Sequence, residues 1–360
     1  MVLSLSREVK KSRMPVTLAD IAEALGISMM TVSRAINNSP VISAETRARV
    51  LEAADRMGYR PNHQARGLAT NRSFLIGLVV PDLTHSYFAE LAKAIESVVR
   101  PTGYEVLICN TEEDGDRELA EVNALRHRTD GLIIASSISQ SKAEVYRKLI
   151  GEGARLVFLD RHFGRIGSPA AVTNNIQAGM LVTEHLIELG YRRIGHLRGT
   201  NVSVANERLE GYRRALRKHG LEVDDRLIRP CGLFQKSGYE AMRAWIAEGD
   251  LPRAIFAVND PAAIGAMSAL LEAKIRVPAQ VAIAGAGAVQ HGELLRIPLT
   301  TVDWDLAEMG RQAARLLIET IEGQPPTDGQ PRNVVINPEL IVRRSCGAIV
   351  RKRPGKKSGR

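Results

Sequence analysis

Apolar residues recur at helical spacing in three short segments of the first sixty residues. The first begins at Thr17 and ends at Gly26, the second follows Ser28, and the third follows Ser43 and ends at Gly58. Their apolar positions are Leu18, Ile21, Ala22 and Leu25, then Met29, Val32, Ala35 and Ile36, then Val50, Leu51, Ala54 and Met57. Serine before and glycine after such segments are common helix caps. We therefore predict three short helices, with a glycine-containing turn between the first two that is typical of a helix-turn-helix.

The predicted second helix has a polar face made of Thr31, Ser33, Arg34 and Asn37. A three-helix bundle with a purely structural role would not need this face, whereas short donors and a guanidinium suit phosphate oxygens and base edges in the DNA major groove. Met30 falls on the polar face and is expected to read shape and thymine methyl groups, because a thioether offers no strong donor. Met29 shares the apolar stripe and is expected at the rim of the core.

After Arg72 the pattern changes to short apolar runs that alternate with amphipathic stretches. The runs are LIGLVV, EVLIC, GLIIAS, RLVFL, AAVTN, RIGHL, AIFAV, VAIAG, LTTV and NVVI. Strands alternating with helices predict parallel, doubly wound sheets, and this number of strands exceeds one compact sheet. The sequence therefore predicts two α/β lobes, with a ligand cleft beyond the carboxyl ends of their strands.

Composition and charge add a nucleic-acid partner to this picture. The 360 residues exceed one ordinary core, and 44% hydrophobic and 25% charged residues are typical of a soluble globular protein. The net charge of +9 lies at the ends: residues 1–72 hold 11 Lys/Arg against 6 Asp/Glu, and residues 347–360 hold six Lys/Arg and no acid. Clustered positive charge is typical of nucleic-acid binding. The last fourteen residues lack periodicity and are expected to be a disordered basic tail.

Several classes of protein and site are not expected. The sequence has no run of 18 apolar residues and no signal peptide, so we predict no membrane span and a cytoplasmic, nucleoid-associated location. Its three cysteines, Cys109, Cys231 and Cys346, are far apart and odd in number, which favours a reducing compartment and no cysteine-based zinc site.

An enzyme is the alternative of a different class. The segment VAIAGAGAVQHG has Gly285 and Gly287 after a strand, but Gln290 stands where a dinucleotide fingerprint needs glycine or alanine. P-loop, HExxH and GxSxG motifs are absent from the sequence. Three scattered histidines could line the cleft, namely His85, His196 and His291. We predict no catalytic site, no cofactor and no metal.

The segment VTLADIAEALGISMMTVSRAINNSPVISAETRARVLEAADRMGYRPNHQARGLA resembles the DNA-binding headpiece of the LacI/GalR (lactose-repressor) family of bacterial transcription regulators. The similarity continues to about Ser345 through IGLVVPDLTHSYFAEL, DGLIIAS, EHLIELGYRRIGHL, ERLEGYRRAL, AIFAVNDPAAIGAM and PLTTV. The resemblance implies an α/β fold, with an N-terminal three-helix helix-turn-helix headpiece and a two-lobed, doubly wound parallel-sheet regulatory domain like a periplasmic binding protein. The chain is expected to cross between the lobes near residues 172, 303 and 333.

The predicted domains follow from this resemblance. They are a basic tail (1–14), the headpiece (15–61), a hinge helix and linker (62–72), an effector-binding and dimerisation domain (73–346) and a basic tail (347–360). Lobe 1 takes about 73–172 and 304–332, and lobe 2 about 173–303 and 333–346. The family pattern begins near Pro15, so Met14 is an alternative start.

The resemblance also implies DNA-contacting residues. Asn62–Ala69 would be a hinge helix, ordered on operator DNA, with Leu68 wedged into the minor groove. A plain linker is the alternative, since the segment is far below the roughly 12–15 residues that an isolated helix needs. The full set of expected DNA contacts is Thr17, Leu18, Ser28, Met29, Met30, Thr31, Ser33, Arg34, Asn37, Ser43, Thr46, Tyr59, Asn62, Ala65 and Leu68.

The expected effector contacts are Tyr87, Phe88, Ser137 and Asp160 in the first lobe, and Arg208, Phe234, Asn259 and Gly287 in the second. Phe88 could equally be a core residue, and Asp260 is expected to cap the helix after Asn259. Gly287 replaces an acid that many sugar-binding members carry, and the aromatic platform upstream is shifted to Phe234 or missing. Losing an acid beside Arg208 makes the pocket more positive, so we predict an anionic effector such as a sugar acid or sugar phosphate, as in gluconate-responsive members.

The resemblance therefore implies a repressor of a carbohydrate-utilisation operon. A homodimer would bind a pseudo-palindromic operator in double-stranded DNA, and effector binding would change that affinity through the lobes and hinge helices. The C-terminus has no heptad leucine repeat, which favours a dimer over a tetramer. A decayed pocket controlled by a protein partner, and a two-lobed solute-binding protein, are the remaining alternatives.

Overall fold

The computed structural model describes residues 16–36, 38–60, 70, 72–84, 86–164, 166–287, 292–323 and 332–348. The chain forms two compact units, residues 1–73 and residues 74–360. None of the helices in these described ranges combines the length and the apolar character that crossing a membrane requires.

The N-terminal unit contains the three predicted helices. They are α1 (Leu18–Leu25), α2 (Met29–Ile36) and α3 (Ala44–Met57). Their small shared core is made of Ile21, Ala22, Val32, Ala35, Val50, Ala53 and Ala54. Leu51 was predicted on the buried face of α3, but it is 48% exposed, and Ala53 takes its place in the core.

The predicted caps Ser28, Ser43, Gly26 and Gly58 are confirmed, and Thr17, which was not predicted as a cap, also caps α1. The Thr17 hydroxyl accepts a hydrogen bond from the Asp20 amide (3.4 Å), and the Asp20 carboxylate accepts one from the Thr17 amide (2.7 Å), which is a reciprocal capping box. Ser28 and Ser43 accept bonds from amides three residues on, at 3.1 and 3.2 Å. Gly26 and Gly58 end α1 and α3 with φ of 64° and 69°, a left-handed conformation that suits glycine. The serine and glycine signals were therefore correct at these helix ends.

The second unit alternates strands and helices. Its strands are β1 (Leu75–Val80), β2 (Glu105–Asn110), β3 (Gly131–Ile134), β4 (Leu156–Leu159), β5 (Ala170–Thr173), β6 (Ile194–Arg198), β7 (Ile228–Pro230), β8 (Ala254–Ala257), β9 (Ala282–Ala284), β10 (Thr301–Asp303), β11 (Asn333–Ile336) and β12 (Glu339–Ile341). Its helices are α4 (Ser86–Val99), α5 (Gly115–Leu125), α6 (Glu144–Gly151), α7 (Asn175–Glu188), α8 (Ser203–Lys218), α9 (Gln235–Glu248), α10 (Asp260–Glu272) and α11 (Leu306–Ile321).

These elements form the two predicted lobes. The first lobe has a parallel sheet in the order β11-β5-β4-β3-β1-β2, and the second has a parallel sheet in the order β7-β6-β8-β9. Strands β10 and β12 pair with each other in antiparallel orientation and form a separate two-stranded ribbon. Each of the ten predicted apolar runs coincides with or overlaps a strand, whereas β7 and β12 are three-residue strands with a charged residue each, and the pattern did not reveal them.

One predicted lobe boundary is wrong. Residues from 333 onward were assigned to the second lobe, but β11 pairs in parallel with β5 at the edge of the first sheet, with Asn333 opposite Ala170. The chain therefore returns to the second lobe after Ile336, a few residues later than predicted. An apolar run shows that a strand forms, but its periodicity does not show which sheet the strand joins.

Candidate functional site

The α2 helix exposes the face that was predicted to meet DNA. Met30 is 61% exposed, and the Arg34 side chain is exposed and takes part in no hydrogen bond or ion pair with the described residues. Ser28 and Thr31 are linked by a hydrogen bond of 2.9 Å between their hydroxyl groups at the start of the helix. The first turn of α2 is thus fixed by its cap, while its outer face remains accessible to a ligand such as DNA.

Met29 does not lie at the core rim as predicted. It is 57% exposed, almost as much as Met30. Ile27, just before the Ser28 cap, packs against the headpiece core instead. A hydrophobic residue before the cap commonly packs against the fifth residue from it in this way, as a hydrophobic staple. Both methionines are therefore available on the surface of the headpiece.

The other predicted DNA contacts lie in helix caps, pack against the headpiece core, or fall outside the described residues. Thr17, Ser43 and Thr46 act in helix caps, and Leu18 and Tyr59 pack partly against the headpiece core. Asn37, Asn62, Ala65 and Leu68 lie outside the described residues, and so does the whole predicted hinge segment 62–69. Their DNA-contacting roles remain predictions.

In the second unit, residues from both lobes surround one cavity of ≈ 60 Å³. Each lining segment lies at or just beyond the carboxyl end of a strand, or begins a helix there, as expected for ligand sites in α/β sheets. The lining residues are Asp82, Tyr87, Phe88, Glu113, Asp160, Arg161, Val204, Arg208, Leu233, Phe234, Asn259, Asp260, Pro261, Ala286, Gly287 and Trp304. Seven of the eight predicted effector residues are therefore brought together.

Tyr87 and Asp160 form a buried pair in the first lobe. The Tyr87 hydroxyl donates to Oδ1 of Asp160 at 2.5 Å, and burial, followed by the nearby carboxylate, raises the pKa of Tyr87 well above its usual value. Asp160 adopts φ of 62°, a left-handed conformation that costs energy for a residue with a side chain. Such strain is often concentrated at binding sites, and here it turns the carboxylate toward the phenol at the cavity wall.

Arg161 and Glu113 form a second buried pair that the sequence did not reveal. Nη1 of Arg161 donates to Glu113 at 2.7 Å and Nη2 at 2.5 Å, in the two-pronged geometry that guanidinium and carboxylate favour. Burial alone would lower the pKa of Arg161, but the Glu113 carboxylate outweighs burial and raises it. Glu113 and the preceding Glu112 both have positive φ, at 59° and 56°. The strained turn after β2 thus places the Glu113 carboxylate against the Arg161 guanidinium and balances its charge.

Arg208 is held rigidly on the second-lobe side. Its Nε donates to Oδ1 of Asn175 at 2.9 Å and its Nη1 to the carbonyl oxygen of Val258 at 2.8 Å. Its guanidinium carbon lies 5.2 Å from the ring centre of Trp304, a cation–π distance. Burial lowers the pKa of Arg208, but a guanidinium remains charged at neutral pH. Its Nη2 has no hydrogen-bond partner among the described residues and is the atom left for a ligand.

The cavity offers a ligand both hydrogen-bond donors and acceptors. The buried indole N–H of Trp304 meets no acceptor with good hydrogen-bond geometry in the described part of the chain, but it lies close enough to the Tyr87 hydroxyl to oppose the rise in the pKa of that phenol. Each lining carboxylate accepts a hydrogen bond from the protein and, with about four acceptor sites, keeps capacity for a ligand: Asp82 accepts from Thr84, Glu113 from Arg161, Asp160 from Tyr87, and Asp260 from Thr301. The lining is not positively charged as predicted, since it holds these four acids and two arginines.

Asn259 rather than Asp260 caps helix α10. Its Oδ1 accepts from the Ala262 amide at 2.9 Å and its Nδ2 donates to the Leu233 carbonyl at 2.8 Å. Asp260 is the first helical residue, and its carboxylate accepts from the Thr301 hydroxyl at 2.6 Å. The predicted cap at Asp260 is therefore wrong, and Asn259, which lines the cavity, keeps only part of its hydrogen-bonding capacity for a ligand.

Ser137 is the predicted effector residue that the structure places elsewhere. It lines a separate surface cavity with Asp114 and Lys142. Its amide donates to the buried Glu118 carboxylate at 2.5 Å, and the neighbouring Ser136 hydroxyl does the same. Glu118 thus holds Ser137 against helix α5 and outside the cavity that both lobes line, through a contact that no local sequence pattern shows.

Of the three histidines considered for the cleft, His196 is described and does not line the cavity. His196 is buried in the second sheet, stacked on Tyr212, and burial lowers its pKa to about 3, so it is neutral. His85 and His291 lie outside the described residues. Within the described ranges, no cluster of His, Cys, Asp and Glu side chains is placed to hold a metal ion.

Arg161 and Trp304 also line the cavity but were not predicted, although their positions after strands are a sequence signal. Arg161 follows β4 by two positions and Trp304 follows β10 directly. The rule that ligands bind beyond strand carboxyl ends would have selected both, had it been applied to every strand and not only to matched motifs.

Comparison with known proteins matches each of the two units to a described protein family. Residues 17–62 match the family of bacterial regulatory proteins of the lacI family, and residues 73–344 match the family described as periplasmic binding proteins and sugar binding domain of LacI family. The HTH-type transcriptional repressor PurR of Haemophilus influenzae (strain PittEE) is 30% identical over 338 residues, which cover 93% of this chain and 99% of PurR. The HTH-type transcriptional regulator DegA of Bacillus subtilis (strain 168) is 31% identical over 339 residues, with the same coverage.

Solved structures agree with these relatives. The lac repressor dimer bound to operator and the anti-inducer ONPF has a TM-score of 0.81 at 28% identity, covering 93% of this chain and 100% of that one. The transcriptional regulator CelR in complex with cellobiose has a TM-score of 0.69 at 28% identity, covering 92% and 99%. These comparisons do not support the predicted gluconate-responsive subtype.

Proposed function

Since the chain belongs to the LacI family of bacterial regulatory proteins, we propose that it is a repressor of a carbohydrate-utilisation operon whose DNA affinity is set by a small-molecule effector. It acts in the cytoplasm as a homodimer on a pseudo-palindromic operator and catalyses no reaction. The effector changes the operator affinity by a coupling free energy of about 1–3 kcal/mol, as in other allosteric proteins.

The observation that carries this proposal is the pairing of a capped helix with an exposed Met30–Arg34 face and a cavity lined by both lobes. Recognition helices of helix-turn-helix proteins present such a face to the major groove. Structures in which two lobes enclose a cavity commonly bind a small molecule between them. The lac repressor structure, which contains both operator and anti-inducer, supports the same combination.

Selection from random double-stranded DNA tests the DNA-binding half of the proposal. The full chain is expected to enrich a pseudo-palindrome with two half-sites, because a twofold dimer presents two recognition helices. Binding of the enriched DNA should weaken steeply with salt, in proportion to the number of phosphates contacted. Enrichment of a single, non-repeated motif, or of no motif, would contradict the dimeric repressor.

We further infer that the effector is an anionic carbohydrate derivative. Nη2 of Arg208 has no protein acceptor among the described residues, while its Nε and Nη1 are held by Asn175 and Val258, so the guanidinium is positioned to donate to a ligand. Gly287 contributes no side chain and has φ of 129°, a conformation that favours glycine over an acid. A carboxylate or phosphate supplies the acceptor that this guanidinium requires.

Calorimetry with glucose and gluconate as paired probes tests this class. Gluconate is expected to bind more tightly by a factor of about ten or more, which corresponds to one charge-assisted hydrogen bond. Replacing Arg208 with lysine keeps the charge but removes the planar fork, and the gluconate preference should fall. Tighter binding of glucose than of gluconate would reject an anionic effector without affecting the DNA-binding proposal.

A further inference from the structure

A set of hydrogen bonds joins the two lobes beside the effector cavity. From the first lobe, Ser139 and Gln140 follow β3 and His162 follows β4. From the second lobe, the facing residues are Asn201, Ser203 and Glu207, in or just before α8. The bonds are Gln140 N to Asn201 O (3.1 Å), Asn201 Nδ2 to Ser139 Oγ (2.9 Å), His162 N to Ser203 Oγ (3.0 Å), and His162 Nε2 with Glu207 Oε1 (2.8 Å).

We propose that these four bonds form a latch that holds the lobes closed over the effector cavity, with the His162–Glu207 pair as its ionisable member. The regulatory consequence rests on the proposed effector site, but the latch itself is defined by contacts within this chain. Its two ionisable members are sequence neighbours of the cavity arginines, Arg161 and Arg208, so movement of the latch moves the cavity walls.

The size of the cavity explains why a latch matters. A space of ≈ 60 Å³ holds only a few water molecules, each of which needs about 10–15 Å³ in this measure. The cavity is partly open to solvent, and separation of the lobes with breaking of the cross-lobe bonds would widen it for a sugar-sized ligand. The strength of the latch therefore sets how readily an effector reaches Arg208.

The charge on His162 makes the latch sensitive to pH. The hydrogen bond to Glu207 raises the pKa of His162, partial burial opposes this, and the charges of Glu207 and Asp160 raise the pKa further. Of the other groups on the adjoining elements, Arg161 is engaged by Glu113, Gln140 donates its amide to the His162 carbonyl, and Lys142 lines a separate surface cavity.

The direction of the pH effect follows from the raised pKa of His162 in the closed form. The ionic part of the latch is fully present below the ordinary histidine pKa of about 6.5, and it is lost as the pH rises through the higher closed-state value. Both side chains of the pair are about a quarter exposed (25% and 26%), so solvent screens the pair only in part. Mild acid should therefore tighten closure, and mild alkali should loosen it.

Amide hydrogen exchange in the full chain measures the latch without effector or DNA. The amides of Gln140 and His162 donate across the cleft, so they exchange when the lobes part. Comparing the parent with Glu207→Gln at the same pH cancels the intrinsic pH dependence of exchange. We expect these amides to exchange about tenfold faster in Glu207→Gln near pH 6, because a charged hydrogen bond becomes a neutral one. The ratio should approach one near pH 9.

The matched control is Glu210→Gln on the same helix, whose carboxylate pairs with Arg214 within α8. It should leave both amides unchanged at either pH. His162→Gln, read at the Gln140 amide alone, should match Glu207→Gln, and it decides the question if Glu207→Gln loses protection throughout residues 74–360. Equal exchange in parent and variants near pH 6, or a ratio that does not change with pH, would overturn the ionisable latch. A lack of DNA binding would instead reject the proposed function.

Discussion

Replacing Gly211 with alanine is expected to lower the free energy of unfolding of the two-lobed unit by more than about 3 kcal/mol, the upper part of the range for overpacking. A Cβ atom at this position would lie 2.1 Å from the Ile176 carbonyl oxygen and 2.9 Å from the Met180 amide nitrogen. Both atoms belong to the backbone of α7, so no side chain can move aside. The only relief is to displace α8 from α7.

That displacement reaches the effector cavity. On α7, Gly179 is packed just as closely, with its Cβ position 2.2 Å from the Arg208 carbonyl oxygen. Arg208 precedes Gly211 by one helical turn and donates to Asn175, the first residue of α7. Separating the helices lengthens this bond, so Gly211→Ala should also weaken ligand binding at the cavity.

Urea unfolding followed by tryptophan fluorescence is the suitable measurement. The chain has two tryptophans, Trp245 and Trp304, and both lie in the two-lobed unit. Gly151→Ala is the matched control, because nothing lies within 4 Å of its Cβ position and alanine favours a helix by up to about 1 kcal/mol. If Gly211→Ala unfolds within about 1 kcal/mol of the parent, the close packing of α7 on α8 is not rigid.

Local patterns predicted the elements of the fold but not all of their partners. Short apolar runs identified β1 to β6 and β8 to β11, and serine and glycine marked helix ends, because these signals depend on a few neighbouring residues. The assignment of β11 to the first sheet depends on pairing with β5, more than 150 residues earlier. Such a choice is made by global packing, so local periodicity leaves it open.

The cavity residues also divide into those that the sequence identified and those whose positions depend on distant contacts. Resemblance and strand-end position identified Tyr87, Arg208 and Asn259, which the structure places together. Ser137 is held outside the cavity by the buried Glu118, and Asn259 and Asp260 are oriented by Leu233 and Thr301, respectively. In each case a distant partner decides where a polar side chain points, and a partner of this kind has no sequence signature.

Replacing Arg34 with alanine is expected to weaken binding to the selected operator by about two to six kcal/mol in the dimer. A base or phosphate contact from arginine contributes about 1–3 kcal/mol, and the dimer presents two copies. The side chain is exposed on α2 and has no hydrogen bond or ion pair among the described residues, so its removal should not unfold the headpiece.

Fluorescence anisotropy with labelled operator, measured at several salt concentrations, gives the affinity and the number of phosphates contacted. Arg56→Ala, which removes the same charge from the last turn of α3, is the control for net charge. If Arg34 reads a base, Arg34→Ala should lose discrimination between the operator and a mutated half-site while the salt slope changes little. If it binds a phosphate, the salt slope should fall by about two, one unit per subunit. Equal losses in Arg34→Ala and Arg56→Ala would show that the α2 face contributes only diffuse positive charge, and the assignment of α2 as the recognition helix would then fail.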